Sequence, residues 1–484
     1  MLKVDEIRYF MQEDSSSRKK RFAEIGQRYY EGEHDIKNFR MFYFNADGIL
    51  VEDETRSNIK ISHPFFTELV DQAVQYMLSS DNPFIRSDLP ELQDRLNKYF
   101  DEEFVAELQE VLTGTMSSGF SYMYAYMGED KRLHFEHADS LGVVEVREKD
   151  TDDGCAYVIY WYIDRIAKDN KEIKRIQVWD KDAVTYYVQD GDGDILLDDS
   201  EKINPRPHVI YTKPNDNKTY YDNFGFIPFF RLDNNRKQVS GLKPIKDIID
   251  DYDIMSCGLS NNLVDFDHPI HVVKGFQGDD LSELAQNLKT KKMIGTDPDG
   301  GVEVHTVEIP YEARQAKMSE DEKNIYRFGM GFNSAQIGDG NITNIVIKSR
   351  YALLDLKCNK LEIRLKRFLK QILKVVIDEI NRVDESAYTI KDVWFDFQRE
   401  IMTNASDNAQ IELTDAQKKQ VVVGTFLNLV GTLDDETIIQ KICEVLDIDY
   451  EEIKDKLPKL EKDDTEDTLD LIDGLEGGGS DEEV

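Results

Sequence analysis

Apolar residues recur along this chain with two different periods, and the changes of period divide it into segments. Up to about residue 135 the spacing is mainly helical. Phe66, Leu69, Val70, Ala73, Val74 and Met77 fall on one face, and Phe104, Leu108, Val111 and Leu112 on another. From about Leu141 to Phe230 the texture becomes short strand-like runs: VVEV, AYVIYWYI, RIQVW, VTYYVQ and HVIYT. Turn-forming segments DTDDG, DGDGD and KPNDN separate them, which predicts an antiparallel sheet with hairpins. The two regions together predict an α+β unit.

After the break at Asn234–Gly241, Leu242-Lys243-Pro244 opens a helix, proline being tolerated in the first turn. Its stripe is Ile245, Ile248, Ile249, Tyr252, Met255, Leu259, Leu263 and Phe266, and His268-Pro269 ends it. A small insert follows, read as a strand at 270–274, a short helix at 280–288, and strands at 292–294 and 302–309. Pro310 closes it, and Ser319-x-x-Glu322 is a capping box for a second helix ending near Phe328.

FGMGFNSAQIGDGNITN (328–344) then joins two helices with glycine and small polar residues and one charge, Asp339. Helix connections commonly run about 2–8 residues, and longer ones are usually functional or disordered. The longest helical pattern follows at 345–383, with Leu354, Leu361, Leu365, Phe368, Ile372, Val376 and Ile380 on one face. YTIKDVWFDFQ (388–398) returns to strand composition. Thr414-x-x-Gln417 predicts the start of one helix, a second covers 435–446, and a short third near 451–457 stops at Pro458. From residue 461 the acidic, glycine-rich tail has little to bury and is expected to be disordered.

The 484 residues exceed one ordinary core, and 96 acidic against 60 basic residues give a net charge of −36. Such a surface repels phosphates, which argues against a protein that grips nucleic acid but suits one that DNA slides past. The cysteines at 155, 257, 358 and 443 show no metal or redox spacing and read as reduced thiols. The N-terminal residues carry charges where a signal peptide needs an apolar core, and no apolar run approaches the ~20 residues of a membrane span.

The standard phosphate loop requires Gly-Lys, a dipeptide that does not occur here, and no G-x-S-x-G or H-E-x-x-H is present. Asp190, Asp192, Asp194 and Glu201 mimic a calcium loop but have Ile195 where its glycine belongs, and so read as a hairpin turn. His134 with His137, and His268 with His271, are read the same way, as strand residues rather than metal ligands. No catalytic residue, metal or cofactor is expected. Lys348, Arg350, Lys357, Lys360, Arg364, Lys366, Arg367, Lys370 and Lys374 reverse the local charge. They either face DNA, with Lys348 and Arg350 the first candidates, or pair with acidic neighbours on the same or adjacent subunits.

NNRKQVSGLKPIKDIIDDYDIMSCGLSNNLVDF (234–266), VVKGFQGDDLSELAQNLKTKK (272–292) and EKNIYRFGMGFNSAQIGDGNITNIVIKSRYALLDLK (322–357) closely resemble portal proteins of siphophages infecting Gram-positive bacteria. RYYEGEHDI (28–36) and NIKISHPFFTELVDQ (58–72) extend the likeness more weakly, and it covers the chain to about residue 460. The resemblance implies a ring, usually a dodecamer, at one capsid vertex of the virion, assembled in the host cytoplasm. Double-stranded DNA would pass through it without sequence specificity. The partners implied are the packaging terminase ATPase, then the head–tail connector, with the major capsid and scaffold proteins around the ring, and no membrane.

Carried onto this chain, the portal fold places a wing at 1–240 with a return strand at 388–398. The stem helices are 241–268 and 310–328, the clip 269–309, the tunnel loop 329–344, the long tunnel helix 345–383, and the crown 399–460. Asn333, Ser334, Gln336, Asp339, Asn341, Thr343 and Asn344 are then the residues expected to line the constriction. Lys274, Gln277, Asp279, Asp280, Lys289, Lys291 and Lys292 form the expected docking surface of the clip. The competing expectation is a head–tail adaptor or capsid-associated scaffold without a DNA tunnel. A metal-dependent nuclease is less well supported, because the carboxylates show no convincing cluster.

Overall fold

A computed structural model describes residues 2–54, 56–80, 83–128, 130–147, 154–166, 171–213, 216–266, 270–276, 296–305, 309–333, 344–399, 405–429, 435–446 and 450. The chain divides between one unit of Met1–Asn341 with Val346–Ile401 and another of Ile342–Ile345 with Met402–Val484.

The first unit opens with α1 (Val4–Ser16) and α2 (Arg18–Tyr30), separated by extended Ser17, whose Oγ accepts the Lys20 N–H. A hairpin of β1 (Phe42–Phe44) and β2 (Leu50–Glu52) precedes α3 (Phe65–Met77), β3 (Ile85–Arg86), α4 (Pro90–Tyr99) and α5 (Glu102–Ser118). Asp101 caps α5 by accepting the Phe104 N–H, and Gly119 at φ 95° ends it. A Cβ on Gly119 would lie 2.6 Å from the Gln238 carbonyl oxygen, so both the turn and the approach require glycine.

The strand region holds β4 (Phe120–Met127), β5 (Leu133–Ala138), β6 (Val143–Val146), β7 (Tyr157–Ile166), β8 (Glu172–Trp179), β9 (Ala183–Asp190), β10 (Ile195–Leu197), β11 (Arg206–Pro207), β12 (Val209–Lys213), β13 (Asp216–Asp222) and β14 (Phe229–Asp233). One antiparallel sheet runs β10-β9-β8-β7-β6, with β11 on β9; a second runs β14-β4-β5. Burial on both faces of the larger sheet explains the centre of the run AYVIYWYI, whose last residue, Ile163, is exposed. Val158 and Tyr160 meet Tyr122, Tyr124 and Trp179, while Ile159 points with Ile176 and Val178 toward Ile7 of α1.

Next come α6 (Lys246–Asp265), the hairpin β15 (Ile270–Phe276) and β16 (Thr296–His305), α7 (Tyr311–Gly329), α8 (Asn344–Asp384) and β17 (Trp394–Phe395), which pairs with β3. All seven residues expected to mark one face of α8 are buried, in a core shared with α3 and α5. The second unit contains α9 (Ala405–Leu427) packed on α10 (Asp435–Leu446).

Five expectations are corrected. The first helix of the pair begins at Lys246, after turns at Leu242–Ile245, so Pro244 precedes it. Ser319 and Glu322 lie inside α7, which starts at Tyr311 directly after Pro310, and Thr414 and Gln417 lie inside α9. Of residues 388–398 only two are strand; Ile390–Asp392 form a 3-10 turn closed by Thr389 and Asp392. The stripe on α6 is buried only at its start: Ile245 and Ile249 are enclosed, whereas Leu263 and Phe266 are exposed. The helix 280–288, the strand 292–294, the helix 451–457 and the tail lie outside the described residues.

Instead, α6 buries the polar series Asp253, Cys257 and Asn261. The extended segment 57–63 runs along this series. Asp253 Oδ1 accepts the His63 N–H (3.0 Å), Cys257 Sγ the Ile61 N–H (3.2 Å), Asn261 Oδ1 the Ile59 N–H (2.7 Å) and Asp265 Oδ1 the Ser57 N–H (3.1 Å). Four residues of helix rise about 6 Å, and two residues of extended chain about 6.6 Å. Side chains at every fourth helical position therefore meet every second amide.

Candidate functional site

The glycine-rich connection is held by the core where it leaves α7. At its start, Met330 takes the left-handed conformation (φ 58°, ψ 42°) that ends α7, and the Gly331 N–H donates to Tyr326 O at 3.0 Å. The glycines on either side serve close approach instead. A Cβ at 329 would stand 2.5 Å from Leu69 Cδ1, and one at 331 would stand 2.2 Å from Leu69 Cδ2. Gln72 of α3 then grips Phe332 twice, its Nε2 donating to Phe332 O (2.9 Å) and its Oε1 accepting the Phe332 N–H (3.3 Å). The Phe332 ring lies 4.6 Å from that of Tyr351 on α8. Asn333, the first residue expected to line a constriction, donates to Glu322 Oε1 at 2.5 Å.

At its far end the connection enters α8, beginning with Asn344. Lys357, nearly two turns past Tyr351 and half-buried, donates to Gly329 O (3.2 Å) and Leu69 O (3.3 Å), so a cation from α8 fastens the end of α7 to the body of α3. Burial lowers its ammonium to about 8. Ser334, Gln336, Asp339, Asn341 and Thr343 lie outside the described residues.

The basic series on α8 divides by environment. Lys357 is inward, which corrects its placement among possible DNA-facing cations, and Lys366 pairs with Glu362 at 2.7 Å. Lys348 is exposed and Arg350 half-buried; Lys348 lines a concavity of about 500 Å³ with Tyr76, Tyr351, Asp355, Asn359 and Arg399. Arg399 already spans Asp355 (2.8 Å), Asn359 (2.7 Å) and Glu362, which neutralises much of that wall. Further along, Lys360, Arg364 and Arg367 line a groove of about 1090 Å³ with Lys181, Arg147 and Arg231, the last two already paired with Glu145 and Asp233 in its wall.

At the second expected surface, Lys274 of β15 pairs with Glu303 of β16 at 2.6 Å, both exposed. Gln277, Asp279, Asp280, Lys289, Lys291 and Lys292 lie outside the described residues. The apparent metal motifs take other forms. Asp190, Asp192 and Asp194 belong to the β9–β10 turn, with Asp194 facing Arg8, and Glu201 pairs with Arg175. His134 Nε2 meets Asp130 at 3.1 Å and His137 Nε2 meets Ser121 Oγ at 2.9 Å. His268 lies outside the described residues, and His271 is in β15. Among the described residues no group of three His, Cys, Asp or Glu side chains is arranged so that it could hold a metal ion, and no helix is long and apolar enough to cross a membrane.

Sequence reasoning missed the buried group centred on Asp253. Its carboxylate receives His34 Nδ1 and His63 Nδ1, each at 2.7 Å, and His34 stacks on Tyr29 with centroids 4.4 Å apart. Burial alone would raise this carboxyl, but the two histidine hydrogen bonds outweigh it and hold it below its ordinary value. The only signal in the sequence was an aspartate at a helical position flanked by apolar residues.

Two helices joined through a sheet-forming insert, a glycine-rich connection anchored where it leaves the second of them and a long helix following it describe a structural scaffold. The profile of the family described as "Phage portal protein, SPP1 Gp6-like" matches residues 10–462, and the chain belongs to that family. It is 28% identical over 347 residues to the portal protein of Bacillus phage SPP1, covering 71% of this chain and 67% of that protein. It is 25% identical over 402 residues to the portal protein of Clostridium phage phiCD119, covering 78% of this chain and 85% of that one. Portal proteins are structural, non-enzymatic components of the phage capsid, and roles in packaging and as a connector are consistent with the family.

Proposed function

We propose that copies of this chain close into a dodecameric ring at one capsid vertex, through which double-stranded DNA is packaged and later ejected. Residues 334–343 form the constriction, flanked by Asn333 and Asn344, with Lys348 and Arg350 behind them. The hairpin of β15 and β16 with the insert between its strands, Lys274 included, docks the terminase ATPase and then the head–tail connector. The proposed wing is 1–240 with the short strand at 394–395, the stem is α6 and α7, and the crown is 399–460. Major capsid and scaffold proteins surround the ring during assembly in the host cytoplasm.

The observation that carries this reading is the anchoring of the start of the connection by Gln72 and Leu69 of α3 and by Tyr351 and Lys357 of α8. A segment of mostly small and polar residues on so fixed a base, with Asp339 as its one charge and no cation, can approach a duplex without binding it. The net charge of −36 favours passage over retention in the same way. Replacing 334–343 by a short Gly-Ser linker tests it. Loss of DNA packaging with head assembly intact is the expected result. Normal packaging would favour an adaptor or scaffold without a tunnel.

A further inference from the structure

The β1–β2 hairpin is well formed, yet it has no core of its own. Phe42 pairs with Glu52, Tyr43 with Val51 and Phe44 with Leu50; the Asn45 side chain accepts the Asp47 and Ile49 amides, and Gly48 at φ 74° completes the turn. Its apolar side chains are nevertheless in solvent: Phe42 is 54% exposed, Tyr43 48%, Phe44 72%, Ile49 60% and Leu50 55%. Because opposed residues share a face, Phe42, Phe44 and Leu50 lie on one side of the ribbon and Tyr43 and Val51 on the other. Two-stranded ribbons are marginal in water without a packing partner, and a soluble monomer rarely keeps so many large apolar groups together in solvent.

We propose that this hairpin is an assembly arm that packs on a second copy of the chain, a conclusion that rests on the ring reading above. Three observations favour a copy over another protein. First, at ~200 Å² per large side chain the exposed apolar surface is on the order of 600 Å², most of the ~800 Å² per partner of a stable interface. Leu263, Val264 and Phe266 at the end of α6 are exposed as well, and the Ser57 amide on Asp265 ties the chain leaving the hairpin to that end. Second, the large apolar residues of Met41–Glu54 are gathered at 42–44 and 49–51, while its four acidic residues lie at the turn (Asp47) and the base (Glu52, Asp53, Glu54), an apolar centre with a charged rim. Third, the ribbon is apolar on both sides, so it needs a partner present throughout. The ATPase and the connector act in turn, whereas neighbouring copies remain. The arm meets a different surface of its neighbour, because self-pairing of the same patch would give a closed dimer and not a ring.

The test uses the full-length protein carrying Phe44→Ser and Leu50→Ser, with its mass measured by sedimentation over a concentration series. Neither side chain belongs to a described core, so circular dichroism and thermal midpoint should match the wild type. Assembly should require roughly 100-fold more protein or more, from the lost burial of two large side chains. In a second arm, a photo-crosslinking residue replaces Tyr43 in otherwise wild-type protein, and illumination should give covalent multimers joined through the hairpin. Wild type and variant assembling alike, with no crosslinks between copies, would overturn the arm and leave the ring intact. A wild type that is monomeric at every concentration, also when co-expressed with the capsid and scaffold proteins, would overturn both readings.

Discussion

Lys357 permits a quantitative test of the frame that holds the glycine-rich connection. Its ammonium, ordinarily titrating at 10.5, is lowered by burial to about 8. A gap of that size corresponds to about 3 kcal/mol at most, and the half-buried side chain trims it. The sign follows from a lowered value in a cation. The penalty is present in full below about pH 8 and is relieved as pH rises toward 10.5, where the unfolded chain also loses its proton. Between pH 7.5 and 9.5 the wild type should therefore regain about 2 kcal/mol from this residue. Lys357→Met keeps the length and packing of the side chain but cannot titrate. At pH 7.5 it forgoes the bonds to Gly329 O and Leu69 O, worth about 1–3 kcal/mol together, and escapes the penalty, so the two proteins should be close in stability. Urea unfolding of both at fixed protein concentration, at the two pH values, gives the comparison. A stability difference between them that does not change with pH would refute the burial argument and the anchoring role built on it.

Gly26→Ala should destabilise the fold by about 3 kcal/mol, because the new Cβ would stand 1.9 Å from the Ser117 carbonyl oxygen where α2 meets α5; the shift in urea midpoint measures it. Asp253→Asn should cost about 3 kcal/mol at pH 7 by breaking a buried pair. Because the native carboxyl lies below 3.8, that advantage of the wild type is present above pH 3.8 and should vanish as pH falls through the lowered value, which acid titration of both proteins will show. Copies carrying −36 each repel one another, so added salt or magnesium should promote assembly; a mass distribution independent of ionic strength would contradict this.

What the sequence revealed depended on whether neighbouring residues or remote ones set the structure. The face of α8 was legible because Leu354 to Ile380 repeat at helical steps and all meet one core. The sheet was legible because Val158, Ile159 and Tyr160 lie in a β-rich run between turn signals. Helix starts at 319 and 414 were misplaced because short capping patterns also occur within helices, where the backbone has no free amides to cap. The polar ladder on α6 was invisible: Asp253, Cys257 and Asn261 are buried only because segment 57–63, about two hundred residues away, lays its amides along them. The connection at 328–344 was conspicuous by composition and length. Its anchors were not, since nothing distinguishes Gln72 from other helical glutamines, and Lys357 looked like one more cation in a basic series.

The central claim is that this portal family member works as a closed ring around DNA. Its most direct test is the assembly mass of the purified full-length protein across a salt and magnesium series, with the same fractions imaged. The account predicts rings of about a dozen subunits with an open central channel, increasingly populated as ionic strength rises. Monomers or dimers under every condition, including co-expression with the capsid and scaffold proteins, would contradict it.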